Sequence, residues 1–123
     1  MSTVAFIQAR TTSTRLPNKV NLDLGGRSVI ERVVDAADRI KGVDCLMVLW
    51  AHNYPAVAEE DVLSRFFYAW RALPFPTDTI MRLTGDCPLL DPATCELVLA
   101  SHKGGYTSNV YPKRTFPDGL DCE

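Results

Sequence analysis

Three short runs of almost uninterrupted apolar residues, TVAFIQ at 3–8, CLMVLW at 45–50 and TIMRL at 79–83, are separated by segments in which apolar residues recur at helical spacing. Runs of this length, bounded by turn-forming residues, suit buried strands better than helices. A strand that follows a helix that follows a strand implies a right-handed crossover and parallel pairing. The alternation therefore predicts an α/β layer fold with a mostly parallel sheet. In such sheets ligands bind beyond the carboxyl ends of the strands, where two polar stretches, 9–19 and 84–91, emerge.

The connecting segments carry their own signals. Gly25 and Gly26 predict a turn, and Ser28 followed by Glu31 reads as a capping box in which each side chain satisfies an orphan backbone donor. In the helix that follows, Val29, Ile30, Val33, Val34, Ala37 and Ile40 share one face. A second helix is expected from Glu59, with three acids at its positive end and Val62, Leu63, Phe66, Phe67, Trp70 and Leu73 as its buried stripe. Pro74 and Pro76 end it. Asp91 and Pro92 open a third helix running to about Ser101, and a short strand is expected around Tyr106 to Val110.

A chain of 123 residues corresponds to a single domain, 1–123, with enough length to bury a core. Its formal net charge of -2 argues against a general nucleic-acid binder, so any phosphate site must be local. The four cysteines, at 45, 87, 95 and 122, show no zinc or redox spacing and are expected to be free thiols. With neither a secretory leader nor an apolar run of spanning length to be read, a soluble cytoplasmic protein without a membrane partner is expected.

Three constellations carry candidate chemistry. In QARTTSTRLPNK, residues 8–19, Arg10, Arg15 and Lys19 alternate with hydroxyl side chains, and no acid occurs before Asp23. Guanidinium groups match phosphate oxygens two at a time and lysine adds a mobile point charge, so this is a phosphate cradle by composition. A solvated basic loop has the same composition, and neither a Walker loop nor a Rossmann fingerprint is present to decide between them. In RLTGDCPLLDP, residues 82–92, Gly85 and Pro88 hold Asp86 on a constrained turn where one carboxylate suffices to anchor Mg²⁺. A bond from Asp86 to its own turn explains the residue equally well, whereas Asp91 reads as a helix cap. Cys87 reads as a small packed residue, since no histidine partner is apparent. In SNVYPKRTFPDGLDCE, residues 108–123, Asn109, Arg114 and Asp118 suit a polyhydroxylated substrate, as would any polar loop of that make-up.

Together, QARTTSTRLPNKV, RLTGDCPLLDP and SNVYPKRTFPDGLD resemble the cytidylyltransferase family of the spore coat polysaccharide biosynthesis type, related to the 3-deoxy-manno-octulosonate and acylneuraminate cytidylyltransferases. Three motifs in the family's order, with DVLSRF at 61–66, extend the likeness over most of the chain. The resemblance implies a three-layer nucleotide-diphospho-sugar transferase-like fold and Mg²⁺-dependent transfer from CTP to a sugar. It implies that Ala9, Arg10, Ser13 and Lys19 contact the nucleotide, with Arg15 nearby, and that Asp86 binds magnesium. Related enzymes often form dimers, so a homodimer is among the expected assemblies. Two departures stand out. Between Trp50 and Glu59 there is only AHNYPAVA, where the family carries a further helix, a short strand and an Arg-Gly-Ser segment enclosing the base. The family also continues past the position of Glu123 to a late aspartate that supplies a second metal contact, so the domain is expected to be incomplete at 50–59 and in its C-terminal part.

The expected reaction is attack of a sugar oxygen on the α-phosphorus of CTP, with Arg10, Lys19 and Arg15 stabilising the departing pyrophosphate. Two rival readings are a catalytically inactive nucleotide-binding or assembly module of the same fold, and a sugar nucleotidyltransferase or glycosyltransferase using another nucleotide.

Overall fold

The computed structural model describes residues 2–123. Its main sheet has three strands, β1 (Thr3–Ala9), β4 (Cys45–Trp50) and β5 (Thr79–Thr84), in the order β4-β1-β5. Both pairings are parallel, with Val4 opposite Cys45 on one side and Ile80 on the other. A central strand has no face or edge for water, and Val4, Ala5, Phe6 and Ile7 are accordingly fully buried.

Successive side chains of β1 feed two separate cores. Ala5, Ile7 and Ala9 pack with Ile30, Val33, Ala37, Cys95 and Val98, which belong to helices α1 (Val29–Asp38) and α3 (Pro92–Ser101). Val4 and Phe6 pack with Leu49, Phe66 and Ala69 beneath helix α2 (Val62–Arg71). Phe6 meets Phe66 edge to face, the ring centroids 5.4 Å apart. The chain moves from β1 to one neighbour through α1 and returns past β1 to the other through α2. Right-handed crossovers in opposite directions require those two helices to lie on opposite faces, which gives the expected three layers.

Several local expectations need correction. A small hairpin, β2 (Asp23–Leu24) with β3 (Arg27–Ser28), surrounds the predicted turn, and positive φ at Gly25 (67°) and Gly26 (92°) is what a tight hairpin loop demands. The capping box is only half made: Ser28 Oγ accepts from Glu31 N at 3.3 Å, while the Glu31 carboxylate turns to Arg27 Nε at 3.3 Å. Helix α2 begins at Val62 and not at Glu59, because Asp61 caps it by accepting from Ser64 N at 3.1 Å. Its buried face comprises Arg65, Phe66 and Ala69, whereas Leu63 is 81 % exposed and Phe67 and Trp70 are also outside. The helix meets the sheet over β1 and β4, so this second stripe overhangs the flank of β5 and borders a shallow groove with Ile80 and Tyr106.

No strand forms at 106–110. Asn109 N–H donates instead to Cys122 O at 3.3 Å, and Asn109 O accepts from Thr115 N at 3.0 Å, so this backbone is satisfied within the C-terminal loop. That loop returns to the sheet at Glu123, which exchanges two backbone hydrogen bonds with Arg82 at the outer edge of β5.

Candidate nucleotide and acceptor site

The polar segment after β1 is folded back on itself. Asn18 N–H donates to Thr11 O at 2.7 Å, closing a compact loop, and Ser13 Oγ accepts from Leu16 N at 3.4 Å inside it. Asn18 itself adopts φ 57°, a left-handed conformation that asparagine tolerates, and launches a single 3-10 turn over Lys19–Asn21. Val20 in that turn is buried in the core, which fixes its neighbour Lys19 at the carboxyl edge of the sheet.

The turn after β5 is held against the same edge. Gly85 N–H donates to Gln8 O at 2.8 Å. A Cβ on Gly85 would lie 2.9 Å from that carbonyl oxygen and 2.9 Å from Ile30 Cδ1, so a residue without a side chain is needed for so close an approach. Asp86 follows directly, and Lys19 Nζ lies 2.7 Å from its Oδ2. The two segments singled out in the sequence thus converge at one point. Burial pushes the Asp86 carboxyl up, but the hydrogen bond and charge of Lys19, with help from its own backbone amide and Cys87, outweigh this and hold it below the ordinary value. It is a carboxylate at neutral pH.

Two cavities meet at this carboxylate. The inner one, about 310 Å³, is lined by Gln8 and Ala9 at the carboxyl end of β1 and Arg10 just beyond it, by Lys19, by Thr84 to Asp86, by Glu59 and Glu60 on the approach to α2, and by Arg65 within α2. The outer one, about 500 Å³, is lined by Arg15, Thr84, Asp86, Cys87, Asp118, Gly119 and Asp121. Both lie where the chain reverses direction across the sheet beside β1, the place where open α/β sheets bind ligands.

Placement of the expected residues is uneven. Arg10, Lys19 and Ala9 face the inner cavity and Arg15 the outer. Asp118 reaches the outer cavity from a 92 % exposed position. Arg114 does not line it, being paired with Asp121 at 2.8 Å and Asp118 at 3.4 Å. The expectation for Asn109 is overturned: it is 4 % exposed, with Nδ2 donating to Leu120 O at 2.8 Å and Oδ1 accepting from Cys122 N at 3.0 Å. A side-chain amide buried and engaged at both ends clamps the loop, and it lines neither cavity. The Cys87 thiol lies 3.0 Å from Thr84 Oγ1, and burial pushes its pKa up, as a packed thiol requires. Asp91 caps α3 as read from the sequence, accepting from Thr94 N at 3.2 Å.

Glu59 and Arg65 were missed as cavity residues. The Glu59 carboxylate accepts from the Thr12 hydroxyl, tying the basic loop to the approach to α2. For Arg65 a signal existed: it lies between Val62 and Phe66, Ala69 on the sheet-facing side of an amphipathic helix, where a charge is costly without a purpose.

Among the described residues, no group of three or more His, Cys, Asp or Glu side chains could hold a metal ion by itself. Magnesium needs only one or two protein carboxylates when phosphates and water fill its remaining positions, and the ionised Asp86 between two cavities fits that requirement.

Residues 4–49 match a sequence profile described as cytidylyltransferase. The chain is 30 % identical over 129 residues to a 3-deoxy-manno-octulosonate cytidylyltransferase of an Anaeromyxobacter species, a match covering 94 % of this chain and 53 % of the relative. It is 34 % identical over 105 residues to an uncharacterised protein of Methanocaldococcus jannaschii, covering 72 % and 42 % respectively. Among solved structures, a cytidylyltransferase from Leptospira borgpetersenii superposes with a TM-score of 0.80 at 27 % identity, covering 99 % of this chain and 59 % of that one. A CMP:2-keto-3-deoxy-manno-octonic acid synthetase complexed with CTP gives 0.70 at 26 % identity, covering 81 % and 46 %. The chain spans about half the length of the curated relatives it matches.

Proposed function

We propose that the chain, which matches the cytidylyltransferase profile over residues 4–49 and is 30 % identical to a 3-deoxy-manno-octulosonate cytidylyltransferase, is a cytidylyltransferase that serves transfer of a cytidylyl group from CTP to a sugar, with release of pyrophosphate, in the synthesis of a surface polysaccharide or glycoconjugate. The observation that carries this reading is the Lys19–Asp86 pair at 2.7 Å, standing where the two cavities meet. A group transfer needs two reactants held on either side of one charged centre, and this arrangement supplies it.

In this reading the triphosphate occupies the inner cavity and the acceptor the outer one. As the acceptor oxygen attacks the α-phosphorus, negative charge gathers on the departing pyrophosphate, and fixed cations at that place lower the barrier. Arg10 and Lys19 face the inner cavity and are assigned this role; Arg15, at the outer cavity, completes the cationic lining. Asp118 and Asp121 offer acceptors for sugar hydroxyls. Asp86 is the residue to hold Mg²⁺, which when bound would neutralise phosphate charge and polarise the phosphoryl group. The alignment to the Anaeromyxobacter enzyme is longer than the part of this chain it uses. That supports an internal shortening, which we assign to the stretch between Trp50 and Glu59.

A second reading, a module that binds nucleotide without transferring it, is favoured by one observation. Residues 51–58 pass to α2 through a single 3-10 turn (Ala51–Asn53), and Glu59 then enters the inner cavity bonded to Thr12. A pyrophosphate-release assay with CTP, Mg²⁺ and a panel of sugars, including 2-keto sugar acids, separates the two. Transfer predicts turnover that falls by at least several hundredfold in Lys19→Met and Asp86→Asn, by analogy with loss of one preorganised donor. Unimpaired release in either variant would refute the assignments, and CTP binding with no release under the whole panel would favour the second reading.

A further inference from the structure

Arg65 is among the largest fully buried side chains of the molecule, 2 % exposed, and it lines the inner cavity. Its Nη2 donates to Glu59 O at 2.6 Å, but its Nε is buried and has no hydrogen-bond partner. None of the ion pairs among the described residues includes it. The nearby acids do not bond it: Glu59 accepts from Thr12, Asp61 caps α2 and is acted on by the Arg65 charge only through space, and Glu60 is exposed. Arginines in helices usually bury the aliphatic stem and leave the head in water. Here the head itself has lost its water and gained a single neutral carbonyl.

A guanidinium keeps its charge at every physiological pH, so the cost of burying it must be met by an anion. Among the described residues no carboxylate pairs with it directly, and the cavity wall is where an anion can enter. Neutral groups such as a base carbonyl would satisfy the spare donor and leave the charge uncompensated. A phosphate oxygen does both, and Arg10 and Lys19 already mark the cavity's other wall as cationic. We propose that Arg65 is a ligand-binding residue that grips a phosphate oxygen of the nucleotide from the α2 side, so that the polyphosphate is held between α2 and the loop after β1. This assignment rests on the nucleotide reading of the inner cavity. It explains why a cation occupies the buried stripe of α2, where packing alone would select an apolar residue.

The test measures binding of pyrophosphate, CTP and cytidine to the full chain by titration calorimetry, in the wild type and in Arg65→Gln and Arg65→Lys. Loss of one charged hydrogen-bond donor predicts pyrophosphate and CTP affinities lower by about 10- to 100-fold in Arg65→Gln, with partial recovery in Arg65→Lys and cytidine binding unchanged. Pyrophosphate affinity within twofold of wild type in Arg65→Gln overturns the proposal, as does loss of cytidine binding with pyrophosphate binding kept. If the variants fail to fold, ¹⁵N spectra of the wild-type arginine side chains decide. The Arg65 Nε–H resonance must shift on pyrophosphate addition, and a resonance unmoved at saturation, or no pyrophosphate binding at all, overturns it equally. The two assignments fail separately. A wild type that releases pyrophosphate from CTP while Arg65→Gln binds normally removes only the role of Arg65. A wild type that grips pyrophosphate through Arg65 but never binds CTP removes the cytidylyl-transfer reading instead.

Discussion

Gly85→Ala changes one hydrogen into a methyl group at the tightest point of the site. The new Cβ would meet Gln8 O at 2.9 Å and Ile30 Cδ1 at 2.9 Å, with Ala9 Cβ at 3.4 Å behind them. Ordinary contacts begin near 3.5 Å, so roughly 0.5 Å must be found. Ile30 can rotate its terminal methyl away. Gln8 O cannot retreat, because it belongs to the central strand and accepts the Gly85 N–H at 2.8 Å. The turn after β5 must therefore lift off β1, at an overpacking cost of about 1–3 kcal/mol. For a domain of this size that lowers Tm by roughly 4–12 °C. The next residue along is Asp86, whose distance to Lys19 and to any bound phosphate grows with the lift. Since a misplacement of about 1 Å can cost on the order of 100-fold, half of that predicts roughly a tenfold loss of activity. Urea denaturation and the pyrophosphate-release assay read the two effects. Stability within about 0.5 kcal/mol of wild type, together with undiminished turnover, would show that the close approach of β5 to β1 does not position Asp86.

Lys19→Met removes the main opposition to burial of Asp86, so its pKa rises in a carbon-13 carboxyl titration; an unmoved or lower midpoint contradicts the pairing. In the wild type the depressed folded-state pKa contributes stability present above the unfolded value of about 3.9, lost as pH falls through the folded one, and Lys19→Met forfeits that contribution. Phe6→Ala, in the core under α2, should cost about 3–5 kcal/mol, whereas Leu63→Ser on the same helix's outer stripe should stay within about 0.5 kcal/mol by chemical denaturation. Equal losses would mean that α2 packs with its other face. Asn109→Ala removes a donor and an acceptor from buried backbone partners and should destabilise by about 2–4 kcal/mol without altering the KM for the acceptor; a raised KM at full stability restores Asn109 to the site.

Much of the fold was legible without coordinates because its signals are local. Each strand of the main sheet is a short apolar run, and a parallel sheet buried on both faces leaves no other use for TVAFIQ or CLMVLW. The caps at Ser28 and Asp91 and the turn at Gly25–Gly26 depend on a few neighbouring residues and were readable for the same reason. The chemistry of Arg10, Lys19 and Asp86 could likewise be named from residue type, though a basic loop and a phosphate cradle are the same sequence until something stands opposite. Only the register of β1 with β5 brings Asp86 within 2.7 Å of Lys19, across 67 residues of chain that carry no local trace of the meeting. The same holds for α2. Its sequence offers two apolar stripes, Val62–Phe66–Ala69 and Leu63–Phe67–Trp70, and a helical period cannot say which of them meets a sheet. That choice, and with it the burial of Arg65 and the occupation of Asn109 by backbone, belongs to the packing of distant segments, because burial and hydrogen-bond partnership are properties of pairs that the chain brings together only when folded.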